Sequence, residues 1–186
     1  MILKGTLLAV VLASTVVAGA QRGTSADQVF LSPRALPGTC PESDADPFRN
    51  RTYTFLASRR RGETIALHDG KAVERDDIGH VDWQLELVAE DRVTLGNRSA
   101  VLLEFFDDHL AGSGSVTTFL VVTCDSGRWQ VVLEAAGEGL RRAFGPAVGE
   151  ITLTRAIWSP ADAHCCPSGE IEERYRWIRD RFIRVG

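Results

Sequence analysis

Val116-Thr117-Thr118-Phe119-Leu120-Val121-Val122-Thr123 runs through Cys124 into Asp125-Ser126-Gly127 and then Arg128-Trp129-Gln130-Val131-Val132-Leu133. The first run is β-branched and aromatic, a composition that fits a pleated, half-buried surface. The Asp-Ser-Gly group is a turn, and the run after it reads as the returning strand. Two strands joined by a tight turn make a hairpin, and the rest of the chain repeats the pattern on both sides of it.

Upstream, Ala100–Phe106 is apolar but for Glu104, and Gly96-Asn97 turns the chain after Val93 and Leu95. Trp83, Leu85 and Leu87 alternate with polar neighbours in Trp83–Val88. Asp69-Gly70 is a strong hairpin turn, because glycine accepts positive φ at little cost. It follows the strand Glu63–His68, with Ile65 and Leu67 inward, and Thr52–Ala57 turns Tyr53, Phe55 and Ala57 to one side. Between these two, Arg59, Arg60 and Arg61 lie in a polar turn. Downstream, Val148–Trp158 places Ile151, Leu153 and Arg155 on one face. Glu172–Ile178 and Arg181–Val185 form a last hairpin. In it Tyr175, Trp177 and Phe182 face the core, and Arg174 and Arg176 face out toward Glu170, Glu172 and Glu173. About ten short strands with regular turns predict a single mainly β domain of antiparallel strands, a sandwich or a partly open barrel. A β-rich α+β arrangement stays open, because the apolar run in Ser99–Leu110 does not reveal its period and Glu138–Phe144 has room for one helical turn.

Met1–Ala20 stands apart. It has one early cation, Lys4, an apolar run over Leu7–Ala18 and a small-x-small ending, Ala18-Gly19-Ala20. That is the pattern of a secretory signal peptide. The run is short for a bilayer core of about 30 Å, so no membrane span is expected after cleavage. No cysteine follows it to take a lipid. Without Met1–Ala20, 20 basic and 25 acidic side chains remain, a net charge of −5. This argues against a nucleic-acid partner, which selects a basic face. Gln21–Pro47 holds Pro33, Pro37, Pro41 and Pro47 with Glu42, Asp44 and Asp46, and reads as an extended arm ahead of a β-rich domain over 48–186.

Four cysteines, Cys40, Cys124, Cys165 and Cys166, are an even set for an exported chain and imply two disulfides with three possible connectivities. A ring closed between neighbours strains the planar trans peptide between them, so unstrained geometry favours pairing Cys165 and Cys166 outward to Cys40 and Cys124. The pair has no Cys-x-x-Cys spacer and no following helix, as a redox site would. Its spacing converges poorly for zinc, even with His164 and Asp162 beside it, and no metal or other cofactor is expected. Asp107-Asp108-His109 precedes the Gly112-Ser113-Gly114-Ser115 run. These acids are candidates for a ligand, against the plainer reading of a solvated connection. Calcium ligands at alternate positions and the Lys-Ser/Thr ending of a phosphate loop are both missing. Candidate ligand or interaction residues are therefore Asp107, Asp108, His109, His164, Arg174 and Arg176; no catalytic residue stands out.

The second half resembles a family of exported bacterial proteins with a Cys-Cys-Pro-Ser motif, and with it the LppP/LprE-type lipoproteins. The resemblance rests on Leu67-His68-Asp69-Gly70, Ala100-Val101-Leu102-Leu103, and Gly112-Ser113-Gly114-Ser115 leading into Phe119-Leu120-Val121-Val122. Its most specific part is Asp162-Ala163-His164-Cys165-Cys166-Pro167-Ser168 ahead of Arg174-Tyr175-Arg176-Trp177. It implies export to the periplasm or beyond and the β fold, and no particular reaction. Relatives carry an Asp- and Gly-rich loop before the Ala-Val-Leu-Leu strand. Here Glu90–Arg98 has far fewer oxygen ligands, which weighs against a cation there. The expected role is a non-catalytic binding or structural module of the cell envelope, its partner an envelope protein or a small ligand. A periplasmic hydrolase, or a thiol-disulfide protein, is the alternative.

Overall fold

The computed structural model describes residues 28–40, 47–109, 114–144, 148–159, 161–163 and 166–186. Among them are thirteen strands: β1 (Gln28–Phe30), β2 (Arg34–Thr39), β3 (Thr52–Thr54), β4 (Thr64–Ala66), β5 (Lys71–Arg75), β6 (Val81–Leu95), β7 (Arg98–His109), β8 (Ser115–Asp125), β9 (Arg128–Gly137), β10 (Arg141–Phe144), β11 (Glu150–Ile157), β12 (Gly169–Ile178) and β13 (Arg181–Arg184). No helix occurs among the described residues. Both stretches left open to helix are extended instead. Residues 99–109 of the first run lie within β7, whose backbone pairs on both sides with β6 and β8, and Leu110 lies outside the described residues. The 138–144 run is a turn followed by β10. Two-sided pairing settles what an apolar run alone leaves ambiguous.

Every strand pair is antiparallel, and the three sheets are open. The large sheet has the order β1-β9-β8-β7-β6-β5, with β2 also on β9. The segment read as an arm thus reaches this sheet: β1 pairs with the end of β9 and β2 with its start. Pro33 falls between them and Pro37 at an irregularity in the β2 register, where no ladder N–H is required. The second sheet is β10-β11-β12-β13 and the third is the β3-β4 hairpin.

The layers follow from which side chains meet. On one face of the large sheet Trp83, Leu85, Phe105, Leu120 and Val131 pack against Tyr53, Phe55, Ile65 and Leu67 of the hairpin and its flanks. On the other, Leu102, Phe119, Val121 and Leu133 pack against Ile151, Leu153, Tyr175 and Phe182 of the four-stranded sheet. The large sheet is therefore the middle layer. Its central strands are apolar on both faces, as a doubly covered sheet requires.

Two irregularities let single strands serve both cores. In β6 the register shifts between Leu87 and Ala89. Trp83, Leu85 and Leu87 lie under the hairpin, and Val93 and Leu95, of the same parity, lie under the four-stranded sheet. One extra residue, Val88, reverses the alternation. β9 does the same at Val132: Trp129 and Val131 join the first core, Leu133 and Ala135 the second. What reads in sequence as two short strands, 83–88 and 93–95, is one strand of 15 residues.

Candidate functional site

Strand alternation on β7 puts Asp107 and His109 on the hairpin-covered face and Asp108 on the other. Asp107 is 1% exposed. Its Oδ1 accepts a hydrogen bond from the Trp83 indole Nε1 at 2.6 Å. The arginine turn closes over this corner. Arg60 lies 4.4 Å above the Trp83 ring and pairs with Glu63 at 2.7 Å and Glu74 at 2.6 Å. Arg59 pairs with Glu138. Burial pushes the Asp107 carboxyl above the usual aspartate range, against the indole hydrogen bond and the charges of His109, Arg59 and Arg60. The corner thus joins two of the candidate residues to an arginine turn that sequence reading treats only as a polar turn. Its carboxyl is buried beneath the arginine turn and already bonded to Trp83 of the same sheet, so it serves the packing of this corner.

Arg174 and Arg176 lie elsewhere, exposed on the outer face of the four-stranded sheet. Arg176 Nη2 meets Glu150 Oε2 at 2.8 Å, and the Arg174 backbone bonds to Val185 and Gly186. The expected pairing with Glu173 does not form. Glu173 shares the inner face with Tyr175, is buried, and pairs with Arg155 and, at 3.0 Å, with Arg184. Burial and the Glu173 charge push the Tyr175 hydroxyl up to about 12. Parity alone accounts for the correction: 173, 175 and 177 point one way and 174 and 176 the other.

Cys40 is bonded to Cys124, with Cα atoms 5.8 Å apart. This overturns the outward pairing of the double cysteine, because both distant partners are used by each other. The order of the sheet explains it: Cys40 follows β2, which pairs with the start of β9, and its N–H donates to Gly127 O at the β8–β9 turn beside Cys124. His164 and Cys165 lie outside the described residues. Around them Asp162 gathers the connection between β11 and β12, its Oδ2 accepting from Ser159 N at 2.6 Å and Ser168 N at 2.9 Å. The Ser168 hydroxyl bonds to Oδ1, and this bond, with the Ser159 amide, holds the Asp162 carboxyl below its usual range.

An open depression of about 390 Å³ lies on the hairpin-side face of the large sheet, at the end away from Asp107. Its lining includes Arg92, Thr94, Ser99, Val101, Cys124 and Trp129. The register builds it: Arg92 faces Val101, Thr94 faces Ser99, and Cys124 faces Trp129. The Val88 bulge turns Arg92 and Thr94 to this side. Trp129 is held by an edge-on contact with Phe48, ring centroids 5.1 Å apart. No motif betrays this site, because its residues come from four strands and converge only through the ladder. Among the described residues no group of three or more His, Cys, Asp or Glu converges as a metal site. Comparisons of the chain with protein-family models, with curated proteins and with solved structures return no match.

Proposed function

We propose that the protein is an exported, disulfide-containing β domain that serves the cell envelope as a non-catalytic binding module. The observation that carries this reading is the depression beside Cys124 and Trp129. Its described lining offers an aromatic wall, aliphatic floor, hydroxyls and one guanidinium, groups that hold a ligand by contact and hydrogen bonding. The export half of the reading rests on the leader pattern of Met1–Ala20, on the resemblance to exported Cys-Cys-Pro-Ser proteins, and on a disulfide of the kind that persists in oxidising compartments.

The full chain, expressed with its leader in a bacterial host and fractionated, tests both halves. The expected product is periplasmic or in the medium, begins at Gln21 and carries the Cys40–Cys124 bond. Recovery from the cytosol with Met1–Ala20 attached overturns export. Turnover of chromogenic ester, phosphate, glycoside or dithiol substrates, lost on a point substitution that leaves the fold intact, overturns the non-catalytic reading.

A further inference from the structure

The depression carries a more specific inference, which rests on the binding-module reading and names the ligand class. We propose that it binds a small organic anion with an apolar, ring-sized body, the anionic head on Arg92 and the body against Val101, Cys124 and Trp129.

Three observations converge on that chemistry. Arg92 is exposed and has no carboxylate partner among the described residues, unlike Arg59, Arg60 or Arg142 on the same sheet or its covering layers. A guanidinium beside apolar surface is a ready donor for a carboxylate, sulfonate or phosphate. Next, the floor is apolar where it should be polar if only solvent met it. Val101 is half-buried and packs with the first core, and Trp129 and Cys124 stand in the adjacent register row. Lastly, Thr94 and Ser99 are exposed and directly opposed, so two hydroxyls line the row beside Arg92. The volume of about 390 Å³ falls within the range usual for small-molecule sites. The chain's net charge is −4, so its overall field repels anions and any anion bound here depends on this local cation.

The test uses two fluorescent probes of one shape, the anionic 8-anilinonaphthalene-1-sulfonate and the neutral N-phenyl-1-naphthylamine, with the whole exported chain. The anionic probe is expected to bind saturably and about tenfold more tightly than the neutral one, the gain of one charge-assisted contact. Arg92→Ala should remove that difference and leave the neutral probe unchanged. Ser99→Trp, which fills the depression from an exposed strand position, should weaken both probes. Arg181→Ala, on the four-stranded sheet, should change neither. Circular dichroism checks that each variant is folded. Equal binding of the anionic probe to the native chain and Arg92→Ala, binding indifferent to Ser99→Trp, or no binding at all overturns the proposal. None of these outcomes depends on turnover, so they are distinct from a failure of the non-catalytic reading.

Discussion

The Trp83 indole donates across the β6–β7 pair to Asp107, one ladder step removed from its direct neighbour His109. This diagonal bond ties a buried acid to the ring on which Arg60 rests. The hairpin layer above it is held by further polar contacts, among them Glu134 with the Leu56 and Ala57 amides.

Asp107→Asn keeps an acceptor for the indole and removes the buried charge. An ordinary aspartate titrates near about 3.9. Burial holds Asp107 above that value. Between the two values the native state keeps the proton and the unfolded chain does not, so the group's contribution to stability falls as pH rises through that window. Asp107→Asn should therefore match the native stability at neutral pH or exceed it by about 1 kcal/mol, with a shallower pH dependence on the acid side. Trp83→Phe removes the donor and should cost about 2–3 kcal/mol. Urea unfolding between pH 4 and 7 measures both, and a large loss in Asp107→Asn would show that the carboxylate charge itself holds the arginine turn.

Glu134 is the second buried acid on this face. It accepts from the amides of Leu56 at 2.6 Å and Ala57 at 2.7 Å and pairs with Arg34, joining β2, the hairpin flank and β9. Glu134→Ala strands two amides and a guanidinium, and should cost about 3–5 kcal/mol. Glu134→Gln retains an acceptor and should cost less. Hydrogen exchange at the Leu56 and Ala57 amides should speed up in the order native, Gln, Ala; unchanged exchange in Glu134→Ala would refute the role.

The Cys40–Cys124 bond closes a separation of 84 residues. Replacing both cysteines with serine should lower stability by roughly 2–5 kcal/mol, because the unfolded chain regains the freedom of a long loop. Non-reducing peptide mapping should recover the Cys40 and Cys124 peptides joined to each other. A peptide joining either of them to the Cys165–Cys166 segment would contradict the fold.

Gly149, in the turn just before β11, has φ +78°, and a Cβ added there would lie 3.1 Å from the Cβ of Trp177. Gly149→Ala meets both a left-handed backbone and a tight contact, and should cost about 1–2 kcal/mol. Trp177 emission should shift with it. A variant as stable as the native chain would mean the turn relaxes freely.

Much of the β architecture is legible in alternation and turns. Tyr53 and Phe55, Trp83 and Leu85, and Tyr175 and Phe182 all point inward as their spacing implies. Asp69-Gly70 turns as expected, with φ of 52° and 82°. The candidate site was less visible. Asp107 and His109 stand out as polar residues at the end of an apolar run, but nothing local ties them to Arg59, Arg60 or Trp83. Arg92 and Trp129 are far apart in the chain and look unrelated.

The sequence by itself determined that this chain is a set of antiparallel strands, because period-two burial and glycine turns are local properties of neighbouring residues. Tertiary structure alone decided which face each strand shows to which layer. Single inserted residues, Val88 and Val132, reverse the alternation in mid-strand, and their effect exists only relative to a paired neighbour. The same holds for the cysteines. Strain at adjacent thiols pointed outward, yet the β2–β9–β8 packing brings Cys40 to Cys124, and proximity in the folded sheet decides the bond.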